Sequence, residues 1–324
     1  MAASRNRLSP DLLSRVGDFV ADRVPAHETV CVALSGGCDS VVLTHLLSRL
    51  NLAGRLVAIH VHHGLSPNAD AWAAFCEGYC RKLGVPLHVS HVVVARDDGC
   101  GLEAAARQAR YAAFAEIHAD CLALAQHRGD QAETLLLNLL RGGGVTGAAA
   151  MPVERRHGSQ RLLRPLLGEP RAVIEAYGRE HGLNWVSDES NTDTGLTRNF
   201  LRHDVLPVVQ RRFPGAEGVL AQAAANFAEA VELLDELAAL DWASAVADDG
   251  AARLTVLRTM TPVRLKNLLR HRLRQLGWQV PVAARLDEFV RQLLSAGPDR
   301  HPELQLPAGR MRVAGKRLYW LAGA

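Results

Sequence analysis

No stretch of the 324-residue sequence approaches the roughly eighteen consecutive apolar residues a membrane-spanning helix requires. The opening segment, MAASRNRLSPDLLSRV, lacks the long apolar core of a secretory signal, and its Ser9-Pro10 reads as an N-cap and first helical position. A cytoplasmic protein without membrane contact is therefore expected. Cysteine is sparse: Cys31, Cys38, Cys76, Cys80, Cys100 and Cys121 fall in the first 121 residues, and no two form a CxxC pair. In a reducing compartment they are free, mostly buried thiols. Cys76 and Cys80 share a helix face but lack further ligands at metal-site spacing. Lysine is scarcer still, with only Lys82, Lys266 and Lys316 against 34 arginines. Arginine abundance alone therefore identifies no partner.

The charge that is present is unevenly spread. From Arg253 onward there are 14 Lys+Arg against 4 Asp+Glu, whereas residues 1–252 carry 23 against 30. A basic module on a mildly acidic body suits a polyanionic partner, since cations near phosphates release condensed counterions. Arg264, Arg270, Arg272 and Arg274 are its candidate contacts; the alternative is a solvated helix face. The length predicts one large and one smaller domain.

Periodicity separates the two. Continuous apolar runs at 29–34, 56–61, 87–94 and 121–125 alternate with helical patterns at 41–50, 69–83, 102–118 and 131–140. Strands apolar on both faces and alternating with helices predict an α/β fold, a doubly wound and mostly parallel sheet. The segment 142–167 reads as a glycine-rich and polar loop too long for a mere connector, and the glycine-rich stretch 141–147 as long enough to close over a bound ligand; 188–199 reads as another loop. Past Pro214-Gly215 the sequence predicts a long Ala/Leu-rich helix at 219–240, helices at 262–276 and 282–294, and short strands at the end. The expected division is 1–215, the larger domain, and 216–324, a basic and mainly helical domain.

The most informative segment leaves the first strand. Ser35-Gly36-Gly37-Cys38-Asp39-Ser40 lies where open α/β sheets bind ligands. Gly36 and Gly37 let backbone amides approach an anion, the next helix contributes its positive end, and Ser35 and Ser40 add hydroxyls. This cradle is not of the Walker type, because no GK[ST] is present. SGGCDS resembles the SGGxDS loop of the PP-loop ATP pyrophosphatases, and that resemblance implies ATP as substrate. Asp39 then makes sense beside phosphates as a support for Mg²⁺; otherwise it is an ordinary first-turn carboxylate.

Further ordered segments, VHHGLS at 61–66, EAAARQARY at 103–111, QHRGDQAETLLLNLLRGGGVTGAAAM at 126–151, RPLL at 164–167 and WVSDESNTDTGLTRNFLR at 185–202, resemble the tRNA(Ile)-lysidine synthetase family. The resemblance implies adenylation of the wobble-cytidine C2 oxygen in tRNA(Ile) with anticodon CAU, followed by attack of free L-lysine. It assigns the catalytic roles to Asp39, Asp130, Glu133, Arg110 and Arg198. Asp130 is a second candidate Mg²⁺ ligand, and Asp130 or Glu133 orients or deprotonates the amine. Nucleotide binding falls to Ser35–Ser40 and His63. Arg202 is read either as a tRNA contact or as a surface ion pair. A second copy of the chain is a candidate partner. Gln126 and Gly129 depart from the paired histidines and aspartates common in the family, while His127 and Asp130 remain. Two alternatives stay open: another PP-loop tRNA-modifying enzyme of the cytidine-thiolase kind, whose iron–sulfur type requires the missing CxxC, and a non-catalytic nucleotide- or tRNA-binding protein.

Overall fold

The structure, a computed structural model, describes residues 11–50, 52, 55–94, 101–189, 193–297 and 300–323. Met1–Asn226 and Phe227–Ala324 form two compact units.

In the first unit, α1 (Leu12–Arg23) begins at Asp11, whose carboxylate accepts from the Ser14 amide at 2.7 Å. Ser9 and Pro10 lie outside the described residues. The chain then alternates through β1 (Val30–Ala33), α2 (Cys38–Arg49), β2 (Leu56–His62), α3 (Ala69–Leu83), β3 (Leu87–His91), α4 (Leu102–Ala115), β4 (Cys121–Ala123) and α5 (Arg128–Leu140). Val30, Cys31, Val32 and Leu122 are buried, as strands covered on both faces must be. Val42, Leu46 and Leu47 of α2 pack in the same core as β1; full burial of each such side chain contributes about 1.5–3 kcal/mol.

The segment 142–167 is not one long loop. It contains α6 (Val145–Ala148) and a hairpin of β5 (Glu154–His157) and β6 (Gln160–Leu163). β6 pairs in parallel with β4, and β5 adds an antiparallel edge. The strand was hidden because half of its four residues are polar. Gly158-Ser159 between the strands, with Gly158 at φ 60°, is the two-residue hairpin signal that marks it.

The sheet order is β3-β2-β1-β4-β6-β5. Direction reverses at β1, so the loops leaving β1 and β4 flank the crevice at the strands' carboxyl ends. After α7 (Arg171–Glu180), helix α8 (Thr197–Phe200) continues through a π-helical turn, Leu201–Val205, into α9 (Leu206–Arg212). Pro207 lies in the first turn of α9 and has no amide to continue the regular ladder. Residues 190–192 of the expected second loop lie outside the described residues.

Helix α10 (Ala216–Ala245) runs through the division between the units. The second unit adds β7 (Ala252–Arg253), α11 (Leu254–Leu257), α12 (Pro262–Gln275), α13 (Ala283–Ser295), β8 (Glu303–Leu306), β9 (Gly309–Ala314) and β10 (Arg317–Ala322). Its antiparallel sheet, β7-β10-β9-β8, packs one face on α12 and α13 through Leu304, Met311, Val313 and Leu318 against Leu265, Leu269, Leu286 and Leu293.

Candidate active site

The loop between β1 and α2 is organised by its serines. Ser40 Oγ accepts from the Ser35 amide at 3.1 Å and lies 3.0 Å from Ser35 Oγ. It also donates to Gly37 O at 2.9 Å. Gly36 has φ +91°, and a Cβ there would lie 2.8 Å from Val186 Cγ2. The Val186 amide donates to Gly36 O at 2.9 Å, so the segment after α7 seals the back of the turn. Helix geometry leaves the first-turn amides of α2 without intrahelical acceptors, and this turn is assembled to present them to an anion. Cys38, at the first position of α2, is a buried thiol pushed up to about 11 by burial. It therefore offers its amide rather than a thiolate. Gly36→Ala should cost about 1–3 kcal/mol through backbone strain and weaken ATP binding. Thermal unfolding with and without ATP measures both; an unchanged ATP-induced shift contradicts the assignment.

Asp39 Oδ1 is buried and has no hydrogen-bond partner, while Oδ2 lies 3.9 Å from His127 Nε2. Burial holds this carboxyl above its usual range, partly offset by His127. An orphaned carboxylate oxygen at the head of the anion-binding turn fits a divalent cation. Among the described residues no group of three or more His, Cys, Asp or Glu side chains surrounds a common point. One carboxylate completed by phosphates and water is a normal Mg²⁺ arrangement.

His127 links this turn to α5. Its Nδ1 accepts from the Gly129 amide at 3.0 Å, and its own amide donates to Asp130 Oδ2 at 2.9 Å. With Nδ1 an acceptor, the neutral ring carries its proton on Nε2, which faces Asp39 and also Asp130 Oδ2 at 3.6 Å. Gly129 is the counterpart of this cap, because a Cβ there would fall 2.9 Å from His127 Cε1. The other departure, Gln126, has its Oε1 accepting from Arg164 Nε at 3.1 Å.

Arg202, read as a tRNA contact or a surface ion pair, forms a largely buried ion pair with two acids of α5. Its Nε donates to Glu133 Oε1 at 2.6 Å, and its Nη2 reaches Glu133 Oε2 at 2.9 Å and Asp130 Oδ1 at 2.8 Å. Glu133 is 2% exposed, and burial raises its carboxyl above the usual range against the pull of Arg202. Asp130 and Glu133 are brought together one turn apart on α5. Arg198 Nη2 donates to Thr134 Oγ1 at 3.2 Å on the same helix. Both oxygens of Asp130 are engaged, so Asp39 is the better fit for a metal.

At the end of β2, Arg110 Nε donates to His63 Nε2 at 3.4 Å. Burial lowers the basicity of both, His63 to about 4 with Arg110 as the next cause. His63 therefore stays neutral in the fold, while in the unfolded chain it takes a proton near pH 6.5. Between those values the unfolded state binds more protons, so stability falls as pH drops from about 6.5 to about 4. His63→Gln should flatten that part of a thermal-unfolding pH profile; an unaltered slope contradicts it.

The glycine-rich segment after α5 is tied down at both ends. Gln131 exchanges two hydrogen bonds with the Met151 backbone, at 2.9 and 3.0 Å, and Asn138 Nδ2 donates to Gly147 O at 2.8 Å. In the second unit, Arg264 forms a bidentate pair with buried Asp241, its Nε 2.9 and 2.8 Å from the two oxygens. Arg274 pairs with Asp235, and the Arg272 guanidinium stacks 4.4 Å above Trp242. Among the described residues, Arg270 and Arg272 of the four make no ion pair.

An anion-binding turn at the switch point of a parallel sheet, with a carboxylate at its head, defines a nucleotide-binding α/β domain of the PP-loop class. Residues 8–209 match the PP-loop domain family, and 253–319 match the TilS substrate binding domain. A tRNA(Ile)-lysidine synthase of Alkalilimnicola ehrlichii is 46% identical over 97% of this chain and 70% of its own. One of Aromatoleum aromaticum is 48% identical over 90% and 68%. Among solved structures, the U34-tRNA thiolase NcsA of Methanococcus maripaludis matches with a TM-score of 0.55 at 18% identity, covering 67% of this chain and 78% of that one; that likeness concerns the fold. The chain belongs to the tRNA(Ile)-lysidine synthase family, and it is an ATP-using ligase that forms a carbon–nitrogen bond.

Proposed function

We propose that this chain adenylates the C2 oxygen of the wobble cytidine in tRNA(Ile) with anticodon CAU and then couples free L-lysine at C2, giving lysidine. The observation that carries the reading is the continuity of the site: anion-binding turn, orphaned Asp39 oxygen, His127, and the Asp130–Glu133–Arg202 cluster. In this reading residues 1–215 carry the catalysis and 216–324 hold the tRNA, in the cytoplasm. Among the described residues no helix is long and apolar enough to cross a membrane.

A ring carbonyl oxygen is a poor leaving group. In the first step it attacks the α-phosphorus of ATP and pyrophosphate departs. In the second the ε-amine of lysine forms the C2–N bond, and AMP leaves carrying the former carbonyl oxygen. Ser35–Ser40 hold the polyphosphate, and Mg²⁺, when bound by Asp39, supplies charge neutralisation on the phosphates. Arg110 and Arg198 are the cations for the transferring group.

Lysine arrives as an ammonium with a pKa near 10.4, so presenting a neutral amine at pH 7 costs about 4.6 kcal/mol. Asp130 and Glu133 carry two negative charges against the single positive charge of Arg202, and the surplus favours an ammonium beside them. A buried carboxyl with a raised pKa is also suited to accept the amine proton. The test is incubation with ATP, Mg²⁺, labelled L-lysine and CAU-anticodon tRNA(Ile). Label is expected in the tRNA only when all are present; none incorporated while ATP binds overturns the proposal.

A further inference from the structure

We propose that the second unit meets RNA through the outer face of its four-stranded sheet, not through the arginines of α12. This rests on the tRNA reading above and names its surface. Along β8 and β9 burial alternates strictly, with Leu304, Leu306, Met311 and Val313 inside and their neighbours in solvent. Register then fixes what shares the outer face: Arg312 lies opposite Tyr319, Arg310 opposite Leu321, and Arg317 opposite Arg253.

The charges on this face are only partly answered. Glu303 is shared between Arg310 and Arg312, at 3.7 and 3.6 Å, with both arginine side chains more than two-fifths exposed. Asp249 pairs with Arg317 at 2.6 Å and accepts from the Tyr319 hydroxyl at 3.2 Å. Arg253 donates to Ser244 O at 2.8 Å, a neutral acceptor. Four arginines thus face two carboxylates, and Lys316 stands exposed at the hairpin tip between β9 and β10. Two arginines directly opposite on neighbouring strands repel each other, which an external polyanion relieves. Tyr319, half-buried among them, offers a ring against which an unpaired base can stack.

By contrast, three of the four α12 arginines at issue serve the fold. Arg264 and Arg274 neutralise acids on α10, and Arg272 covers Trp242. A guanidinium that leaves a buried partner such as Asp241 for a phosphate strands that carboxylate. Glu303 and Asp249, more than a third exposed, stay solvated when their arginines turn to a phosphate, as does Asp235, so this penalty holds Arg264 alone.

The experiment compares Arg310→Gln/Arg312→Gln with Arg270→Gln/Arg274→Gln and the unaltered chain, following anisotropy of labelled CAU-anticodon tRNA(Ile) across a salt series. ATP binding and thermal unfolding report whether each variant is folded. With about 0.7–0.9 in log–log salt slope per phosphate contact, the sheet variant should lose about 1.4–1.8 from the slope. Near 0.1 M salt its affinity should fall on the order of 30-fold. The α12 variant should keep its slope within about half a contact. An unchanged slope in the sheet variant, or the larger loss in the α12 variant, overturns the assignment of this face. If the unaltered chain binds no tRNA, the tRNA reading itself fails, a separate and distinguishable outcome.

Discussion

Asp39→Ala should abolish adenylation, with tRNA-dependent ATP–pyrophosphate exchange falling on the order of 10³-fold or more while tRNA binding is retained. The expectation follows from position and solvation together. Asp39 is in the first turn of α2 with one buried oxygen lacking any protein partner, and burial already disfavours its charge. Folding gains little from such a group, so its removal leaves the core nearly untouched. On the proposed reading, what would be lost is the negative point for a cation beside the polyphosphate, a contribution of several kcal/mol to charge stabilisation. Unchanged exchange, or lost tRNA binding with exchange intact, contradicts this role. Asp39→Asn separates charge from shape: it fills the same space and should be nearly as inactive.

Arg202→Ala should destabilise the first unit and silence the enzyme together. Glu133 is 2% exposed and both its oxygens depend on Arg202. Breaking a buried pair by removing one partner costs about 3–5 kcal/mol, unless Glu133 takes a proton. Its folded carboxyl already lies above the ordinary range, and without Arg202 it rises further. With a raised folded pKa the native state binds more protons than the unfolded one, so the variant gains stability as pH falls from 7 toward 5 and loses it as pH rises. The double variant Glu133→Gln/Arg202→Ala should recover much of the stability but no ligation, a non-additivity expected of two groups in contact. Recovery of activity with stability would make the pair merely structural. Equal destabilisation by the single and double variants would show that the ion pair is not the source of the effect.

How much of this was legible in the sequence depended on range. Buried parallel strands are written as uninterrupted apolar runs, and α3 begins and ends where its periodicity does. The anion-binding turn was legible because its function is local: two glycines, two serines and a helix start within six residues. β6 escaped because its polar half hides it, although Gly158-Ser159 marked the hairpin. The role of Arg202 was beyond local reading, since its partners lie 69 and 72 residues earlier in the chain. Arg264 and Arg274 of α12 resembled part of a free basic face for the same reason, because their acids sit on α10, 23 and 39 residues away. Gly129 looked like a missing carboxylate; its lack of a Cβ is what lets the His127 ring cap α5 and face Asp39.

The central claim is that the wobble-cytidine oxygen is the atom adenylated at the turn 35–40. The most direct measurement uses CAU-anticodon tRNA(Ile) carrying ¹⁸O at C2 of that cytidine, with ATP and L-lysine, and mass analysis of the AMP released. One ¹⁸O is expected in the phosphate of AMP for each lysine joined; AMP without the label alongside lysidine formation would contradict adenylation at that oxygen.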